Sequence, residues 1–161
     1  MKIEIFESNL TKEDCKDVPF RKAIRGVIKK DGKFLVVHLK KYDITTFPGG
    51  GIEPGETYED CVVREVLEET GILCTPREEK ISVTEYFVDS VWTNVYFTCD
   101  FVEDTKQQAL TGEEKDLELS VEWKTFDELI DIFDNNMTLH ENGPAIHNRE
   151  FFGLIHSIEG E

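Results

Sequence analysis

The segment "GGGIEPGETYEDCVVREVLEETGI", residues 49–72, predicts a helix over residues 57–70 that carries three closely spaced glutamates. These are Glu65, Glu68 and Glu69, and at about 100° per residue they fall within roughly 100° of one helix face. Like charges three or four residues apart on a helix repel one another by about 0.2–0.5 kcal/mol per pair. The cluster is therefore either an ordinary solvated face or a site that holds a positive ion.

The two ends of this helix are marked by capping residues, and acids precede it. Thr57 is a suitable N-cap and Gly71 a suitable residue to end the helix. Gly49–Gly51 predicts a tight glycine-rich loop, and Glu53 and Glu56 follow it. Carboxylates that converge on a helix and its entry loop suit a hard cation with oxygen ligands, so we expect Mg²⁺, for which Mn²⁺ could substitute. Because Mg²⁺ completes its shell with substrate phosphates, the expected substrate is a phosphorylated small molecule.

Composition and charge limit the remaining functions. The chain has 161 residues, with 34 acids against 18 bases and a net charge of −16. This balance argues against binding long nucleic acid, which requires a basic face. No segment approaches the ~20 apolar residues of a membrane helix, and the first residues show no signal peptide, so a cytoplasmic protein without membrane contact is expected. The four cysteines lie far apart and form no C-x-x-C pair, which favours reduced thiols.

Strand patterns dominate the rest of the chain, with helices between them and at the end. Asp31–Gly32 joins two apolar runs and is a strong hairpin signal. Residues 104–118 are polar and predict a loop. A strand is expected at "KISVTEYFV", residues 80–88. A short helix is expected at "DELIDIF" and a closing helix at about residues 144–157. This order predicts an α+β fold, a central mixed β-sheet sandwiched between helices.

The spacing of the fixed residues within the opening segment is specific. It runs Gly50, five residues, Glu56, seven residues, Arg64–Glu65–Val66, one residue, Glu68–Glu69, one residue, Gly71–Ile72. This pattern resembles the complete Nudix box of the Nudix hydrolase family, to which MutT-like proteins belong. The resemblance implies the Nudix fold for a single domain, residues 1–161, with a core at about residues 20–135.

The resemblance also implies a reaction and roles for the matching residues. Nudix hydrolases cleave a pyrophosphate bond in a nucleoside diphosphate linked to another moiety, with Mg²⁺. Glu65, Glu68, Glu69 and the carbonyl of Gly49 match the metal ligands. The implied catalytic residues are Glu68, Glu69, Arg64 and Glu56, of which Arg64 and Glu56 orient the other carboxylates. The general base stays open between a helix glutamate and an acid of the 104–118 loop, namely Glu113, Glu114, Asp116 or Glu118.

Substrate contacts are predicted at Arg25, Phe47 and Gly50. Strand alternation turns Arg21 and Arg25 to one side, where they could meet phosphates, although basic residues on an exposed strand edge are an equal alternative. Phe47 could pack beside a nucleobase or belong to the core. Lys40–Lys41 offers further positive charge.

Four questions stay open from the sequence. A non-catalytic Nudix-fold module that binds a nucleotide or regulates a partner is the main alternative, but such modules commonly lose acids that "REVLEE" retains. Decapping of RNA ends is disfavoured by the net charge of −16. The residues that mark narrower substrate classes within the family are absent, because the chain has Phe87, Val88 and Gly51 at the corresponding positions. The apolar face of the closing helix could also contribute to a homodimer.

Overall fold

The computed structural model describes residues 1–159, which form a mixed sheet of eight strands with helices packed against it. The predicted α+β class and central mixed sheet are confirmed. The strands are β1 (Lys2–Phe6), β2 (Phe20–Lys30), β3 (Lys33–Leu39), β4 (Ile44–Thr46), β5 (Gly49–Gly51), β6 (Ile72–Tyr86), β7 (Val91–Asp104) and β8 (Leu119–Thr125). The helices are α1 (Tyr58–Thr70), α2 (Gly112–Asp116), α3 (Phe126–Asn135) and α4 (Gly143–Ile158), and a single 3-10 turn covers Glu13–Cys15.

The sheet combines parallel and antiparallel pairs. Its main path runs β1-β6-β7-β2-β3-β4, with β5 paired to β2 and β8 paired to β3. β1 runs parallel to β6 and β2 parallel to β7, whereas β6 and β7 are antiparallel. The turn between β2 and β3 has positive φ at Asp31 (51°) and Gly32 (75°), as expected for a two-residue hairpin of the predicted kind.

Two apolar clusters hold the helices against the sheet. One cluster joins α1 to the sheet through Val62 and Val66, both fully buried. α1 comes close to β2 because Gly26 has no side chain, and a Cβ there would lie 2.9 Å from the Val66 side chain. The other cluster joins α3 and α4 to the sheet through Leu129 and Leu154. The sheet is thus covered by helices as predicted, and burial of these apolar side chains is the main stabilising contribution.

Three local predictions are wrong. Residues 104–118 are not a continuous loop, because Thr111 and Glu114 form a reciprocal capping box that starts α2. Gly49–Gly51 is not a loop but the strand β5, paired with Ala23–Arg25 of β2. β6 begins at Ile72, well before the predicted strand, and its pairing with β7 is interrupted by register shifts around Pro76.

The C-terminal helix is close to its predicted bounds and packs tightly on the sheet. α4 has a proline in its first turn, and a Cβ at Gly153 would lie 2.4 Å from the Tyr96 ring. The lack of a side chain at Gly153 therefore sets how closely α4 approaches β7. No helix among residues 1–159 is long and apolar enough to cross a membrane.

Candidate active site

The acidic helix is fixed at both ends by its own sequence. The Thr57 side chain accepts a hydrogen bond of 3.1 Å from Asp60 N–H, as predicted for the N-cap. Gly71 adopts the left-handed conformation at φ 75° and closes the helix through a bond to the Leu67 carbonyl. These caps set the start and end of α1.

Arg64 is the centre of the ion-pair cluster on α1. Its Nε and Nη2 atoms bind the two carboxylate oxygens of Glu56 at 2.7 and 2.9 Å. The fork-like pairing with Arg64 lowers the pKa of Glu56 to about 2. Arg64 Nη2 also donates to the Gly51 carbonyl at 3.2 Å. Arg64 therefore ties the entry loop, β5 and α1 together.

The same guanidinium holds two of the predicted metal ligands. Arg64 Nη1 lies 2.8 Å from Glu65 Oε1 and 3.3 Å from Glu68 Oε2. A Cβ at Gly50 would lie 2.6 Å from the Glu65 carboxylate, so the absence of that side chain lets Glu65 lie against β5. Burial raises the pKa of Glu65 despite the contact with Arg64. The Glu68 side chain is 40% exposed and borders solvent.

Glu69 is the most buried of the three helix glutamates. Its Oε2 atom accepts a hydrogen bond of 3.1 Å from Gly49 N–H. Burial raises the pKa of Glu69 to about 8, although Arg25 and Gly49 N–H act in the opposite direction. Glu114 and Glu65 add to the rise through their negative charge. A buried, crowded group of carboxylates is an environment that a cation would stabilise.

The chemistry of these groups fits a hard divalent cation. Three carboxylates and the nearby Gly49 carbonyl are oxygen ligands of the kind that Mg²⁺ takes. In the conformation described for residues 1–159, no three His, Cys, Asp or Glu side chains are grouped so that they could hold a metal ion. Two of these carboxylates, Glu65 and Glu68, are ion-paired with Arg64 in this conformation.

A cleft of about 830 Å³ opens beside the acidic helix. Gly49 and Glu69 line it together with Arg25. Glu113 and Glu114 of α2 face it from another side, and Ala145, Ile146 and Arg149 of α4 form a further wall. The volume lies within the range of about 300–1,000 Å³ that is usual for small-molecule sites.

Arg25 is held rigidly inside this cleft. Its Nε donates to Asn94 Oδ1 at 2.8 Å and its Nη1 donates to the Phe47 carbonyl at 2.9 Å. The Glu150 carboxylate, fully buried, lies 3.7 Å away and also accepts from Tyr96 Oη–H at 2.8 Å. This fixed positive charge lies close enough to favour ionisation of both Glu69 and Glu85.

Other predicted residues are divided between the cleft and the rest of the molecule. Phe47 is fully buried and meets the Tyr96 ring edge-on, so its ring belongs to the core, which is the expected alternative to a nucleobase contact. Gly50 is packed against Glu65. Among the described residues, the cleft lining does not include Arg21, Lys40 or Lys41. Of the acids in residues 104–118, Asp116 and Glu118 also lie outside it. Glu113 and Glu114 do line the cleft, so among the acids of residues 104–118 they are the candidates for the general base.

Several cleft residues were not predicted from the sequence. Glu85 is 4% exposed and Arg149 6% exposed, and Arg149 binds Glu150 at 2.8 Å. A signal for Glu85 exists in the sequence, because strand alternation places it on the same side as the buried Ile81 and Val83. Charged side chains on a buried face are uncommon unless paired or functional.

Comparison with known proteins finds similarity to one protein family. A family model described as NUDIX domain matches residues 19–145. An ADP-ribose pyrophosphatase of Methanocaldococcus jannaschii is 44% identical over 54 residues, which are 32% of each chain. An RNA pyrophosphohydrolase of Dinoroseobacter shibae is 31% identical over 99 residues, 54% of this chain and 61% of that protein. The matched segments thus span only 32% and 61% of the length of these two relatives.

Similarity to solved structures extends over more of the chain. A NUDIX hydrolase from Nitrosomonas europaea superposes with a TM-score of 0.68 at 22% identity, covering 88% of this chain and 90% of that one. At this level of identity the likeness shows a shared fold.

Proposed function

This chain belongs to the NUDIX domain family, and on that basis we propose that it hydrolyses a pyrophosphate bond in a small nucleotide, a nucleoside diphosphate linked to another moiety. The observation that carries the proposal is the position of Glu69 and Gly49 in a nucleotide-sized cleft, beside Glu65 and Glu68. The full set of helix acids favours a catalytic role over the alternative, a non-catalytic nucleotide-binding or regulatory module.

The proposed cofactor is Mg²⁺, for which Mn²⁺ could substitute. Glu65, Glu68, Glu69 and the Gly49 carbonyl would hold it. When bound, such an ion polarises phosphoryl oxygens and lowers the pKa of water. Glu56 has a supporting part, because its bidentate bond to Arg64 fixes the guanidinium that positions Glu65 and Glu68.

The remaining chemistry is assigned to groups that line the cleft. In hydrolysis the oxygen of a water molecule attacks phosphorus, the bridging P–O bond breaks, and a proton leaves the water. Glu113 or Glu114 is the proposed acceptor of that proton, since both line the cleft and Glu114 acts electrostatically on Glu65 and Glu69. Arg25, fixed by Asn94 and the Phe47 carbonyl, is proposed to bind the phosphates.

A small nucleotide is a better substrate than RNA for this cleft. Acids stand around it at Glu7, Asp89 and Glu141 as well as on α2, and the chain carries a net charge of −16. Negative charge around the opening repels a long polyanion beyond the reacting phosphates. The relatives are named for different substrates, so an assay has to identify the nucleotide that reacts.

The test is release of phosphate or pyrophosphate from a panel of nucleotides. The panel contains canonical and oxidised nucleoside triphosphates, nucleotide sugars, ADP-ribose and dinucleoside polyphosphates, each with Mg²⁺, Mn²⁺ or EDTA. Glu69→Gln and the double variant Glu68→Gln/Glu69→Gln are compared with Glu59→Gln, which changes an exposed glutamate in the first turn of the same helix.

The expected result is metal-dependent turnover that the Glu69→Gln and double variants lose and Glu59→Gln retains. Tight binding of a nucleotide without turnover of any compound, by a protein supplied with metal, would instead establish the non-catalytic module. Turnover that survives both the double variant and EDTA would contradict the role of the acidic helix.

Three further expectations stay predictions: a single domain over residues 1–161, a cytoplasmic location, and a homodimer in which α4 takes part. The last is measurable directly by light scattering of the purified protein, with Phe151→Glu on α4 as the variant, since that side chain is 37% exposed.

A further inference from the structure

Glu85 and Trp92 lie side by side in the cleft on neighbouring strands. They are directly opposite partners in the antiparallel pair of β6 and β7, and such partners point to the same face of a sheet. Both line the cleft that also contains Glu69 and Gly49. The two residues therefore present a carboxylate and an indole to the same ligand.

Arg25 shows where this pair lies relative to the acidic helix. It is the register partner of Gly49 on β5 and of Tyr96 on β7. Trp92 lies four residues before Tyr96, which at ~3.3 Å per residue places it about 13 Å along the strand. A nucleotide whose phosphates meet Arg25 thus has room for its sugar and base in the direction of Glu85 and Trp92.

The Glu85 carboxylate is buried but is not closely bound by its neighbour. Its ion pair with Arg149 Nη1 is 3.6 Å long. Arg149 makes shorter contacts elsewhere, to Glu150 at 2.8 Å and to Tyr96 Oη at 3.1 Å. Because a buried carboxylate is stabilised by hydrogen-bond donors, a donor group of a ligand is favoured beside Glu85, and the negative charge of a phosphate is disfavoured there.

Trp92 supplies the complementary apolar surface. Its side chain is among the large apolar ones left accessible, with 38% of the residue exposed. Aromatic side chains bind nucleobases by stacking, whichever base is present. Stacking therefore retains a base in this position, and the acceptor beside it distinguishes one base from another.

We propose that Glu85 and Trp92 form a base subsite selective for guanine-type purines, an inference that rests on the proposed function. Guanine presents N1–H and the 2-amino group side by side, and the two oxygens of one carboxylate can accept both hydrogen bonds. Adenine offers its 6-amino group next to an unprotonated N1, whose lone pair would face the second oxygen. Hypoxanthine keeps N1–H but lacks the 2-amino group.

The experiment is calorimetric binding of GMP, IMP and AMP in the presence of Mg²⁺. Monophosphates are used because they offer no pyrophosphate bond, so the measurement is independent of turnover. Glu85→Gln is compared with Glu7→Gln, the same chemical change at an exposed carboxylate lining the same cleft. Trp92→Ala is the third variant, and thermal unfolding establishes that each variant is folded.

Wild-type protein is expected to bind GMP about 5- to 150-fold more tightly than IMP and AMP, the range for one good bidentate pair. Glu85→Gln should lose most of that preference, Glu7→Gln should keep it, and Trp92→Ala should weaken all three ligands by similar factors. Equal affinity of the wild type for GMP and IMP overturns the inference, and this comparison stands even if Glu85→Gln does not fold. A folded Glu85→Gln variant that still prefers GMP also overturns the inference. GMP selectivity in a protein that turns over no nucleotide would support the subsite and contradict the proposed hydrolysis.

Discussion

Arg64 binds Glu56 through two hydrogen bonds of 2.7 and 2.9 Å and lies within ion-pair distance of Glu65 and Glu68. Residues that orient metal ligands typically change metal affinity or activity by about 10–100-fold when substituted. Arg64→Lys keeps the charge but removes the planar fork, so it should lower kcat/KM and raise the Mg²⁺ concentration needed for half-maximal rate.

A matched control exists for this substitution. Arg77 is also paired with an acid, Asp100 at 3.4 Å, but both side chains are largely exposed. Arg77→Lys should leave the rate and the Mg²⁺ dependence unchanged. An Arg64→Lys enzyme with wild-type Mg²⁺ dependence would show that Arg64 does not position the metal ligands.

The Glu56–Arg64 pair also predicts how stability depends on pH. The pKa of Glu56 is about 2 in the folded protein, against 4.5 for an unperturbed glutamate side chain. A lowered pKa means that the stabilisation is complete above pH 4.5 and is lost as pH falls from 4.5 towards 2. Thermal unfolding of wild type and Glu56→Gln should therefore differ most at about pH 5–7, and the difference in Tm should narrow between about pH 4.5 and 3. A difference that widens in this interval would contradict the pairing.

Isosteric substitution can show which acid of α2 accepts the proton from the attacking water. Loss of a general base typically costs about 10²–10⁴-fold in rate, so either Glu113→Gln or Glu114→Gln should lower kcat by that order. Glu114→Gln preserves the capping box with Thr111, because glutamine serves equally in that position, and α2 should stay folded. Asp116→Asn, on the same helix but outside the cleft lining, is the control. Rates reduced by less than about tenfold in both glutamine variants would return the role of base to α1.

Packing of α4 on the sheet can be tested at Gly153. Alanine there would place a Cβ 2.4 Å from the Tyr96 ring. Overpacking costs about 1–3 kcal/mol, partly offset by the better helix propensity of alanine, so the free energy of unfolding should fall by about 1–2 kcal/mol. Urea denaturation measures this change. Gly112→Ala, where a Cβ meets nothing within 4 Å, should stay within about 0.5 kcal/mol of wild type.

The sequence could predict the acidic helix because its information is local. Thr57 and Gly71 mark the ends of α1, and the positions of Glu56, Arg64 and the three helix glutamates follow from spacing along one segment. The fold class follows from the order of strand and helix patterns for the same reason. Periodicity does not predict α2 because a five-residue helix is too short to show it, although the capping box is visible as T-x-x-E.

The rest of the cleft could not be predicted because distant segments build it. Glu85 meets Arg149, 64 residues later in the chain (149 − 85), and only the fold brings them together. Phe47 was ambiguous for a related reason, since an aromatic residue before a glycine run is equally compatible with core and surface. The sequence predicts a loop in place of β5 because three glycines have low strand propensity, and pairing with β2 overrides that preference.

The attachment of α4 has a consequence for how the protein is made. Thr45 N–H is bonded to His147 Nε2 and Phe47 N–H to Glu150 Oε2, contacts that span 102 and 103 residues. During synthesis on the ribosome, Thr45 and Phe47 therefore cannot form these hydrogen bonds until α4 has been translated. The acidic helix can form early from local contacts, but a nascent chain that ends before α4 has no Arg149 and no completed cleft. We therefore expect that the cleft is completed only after α4 has been translated.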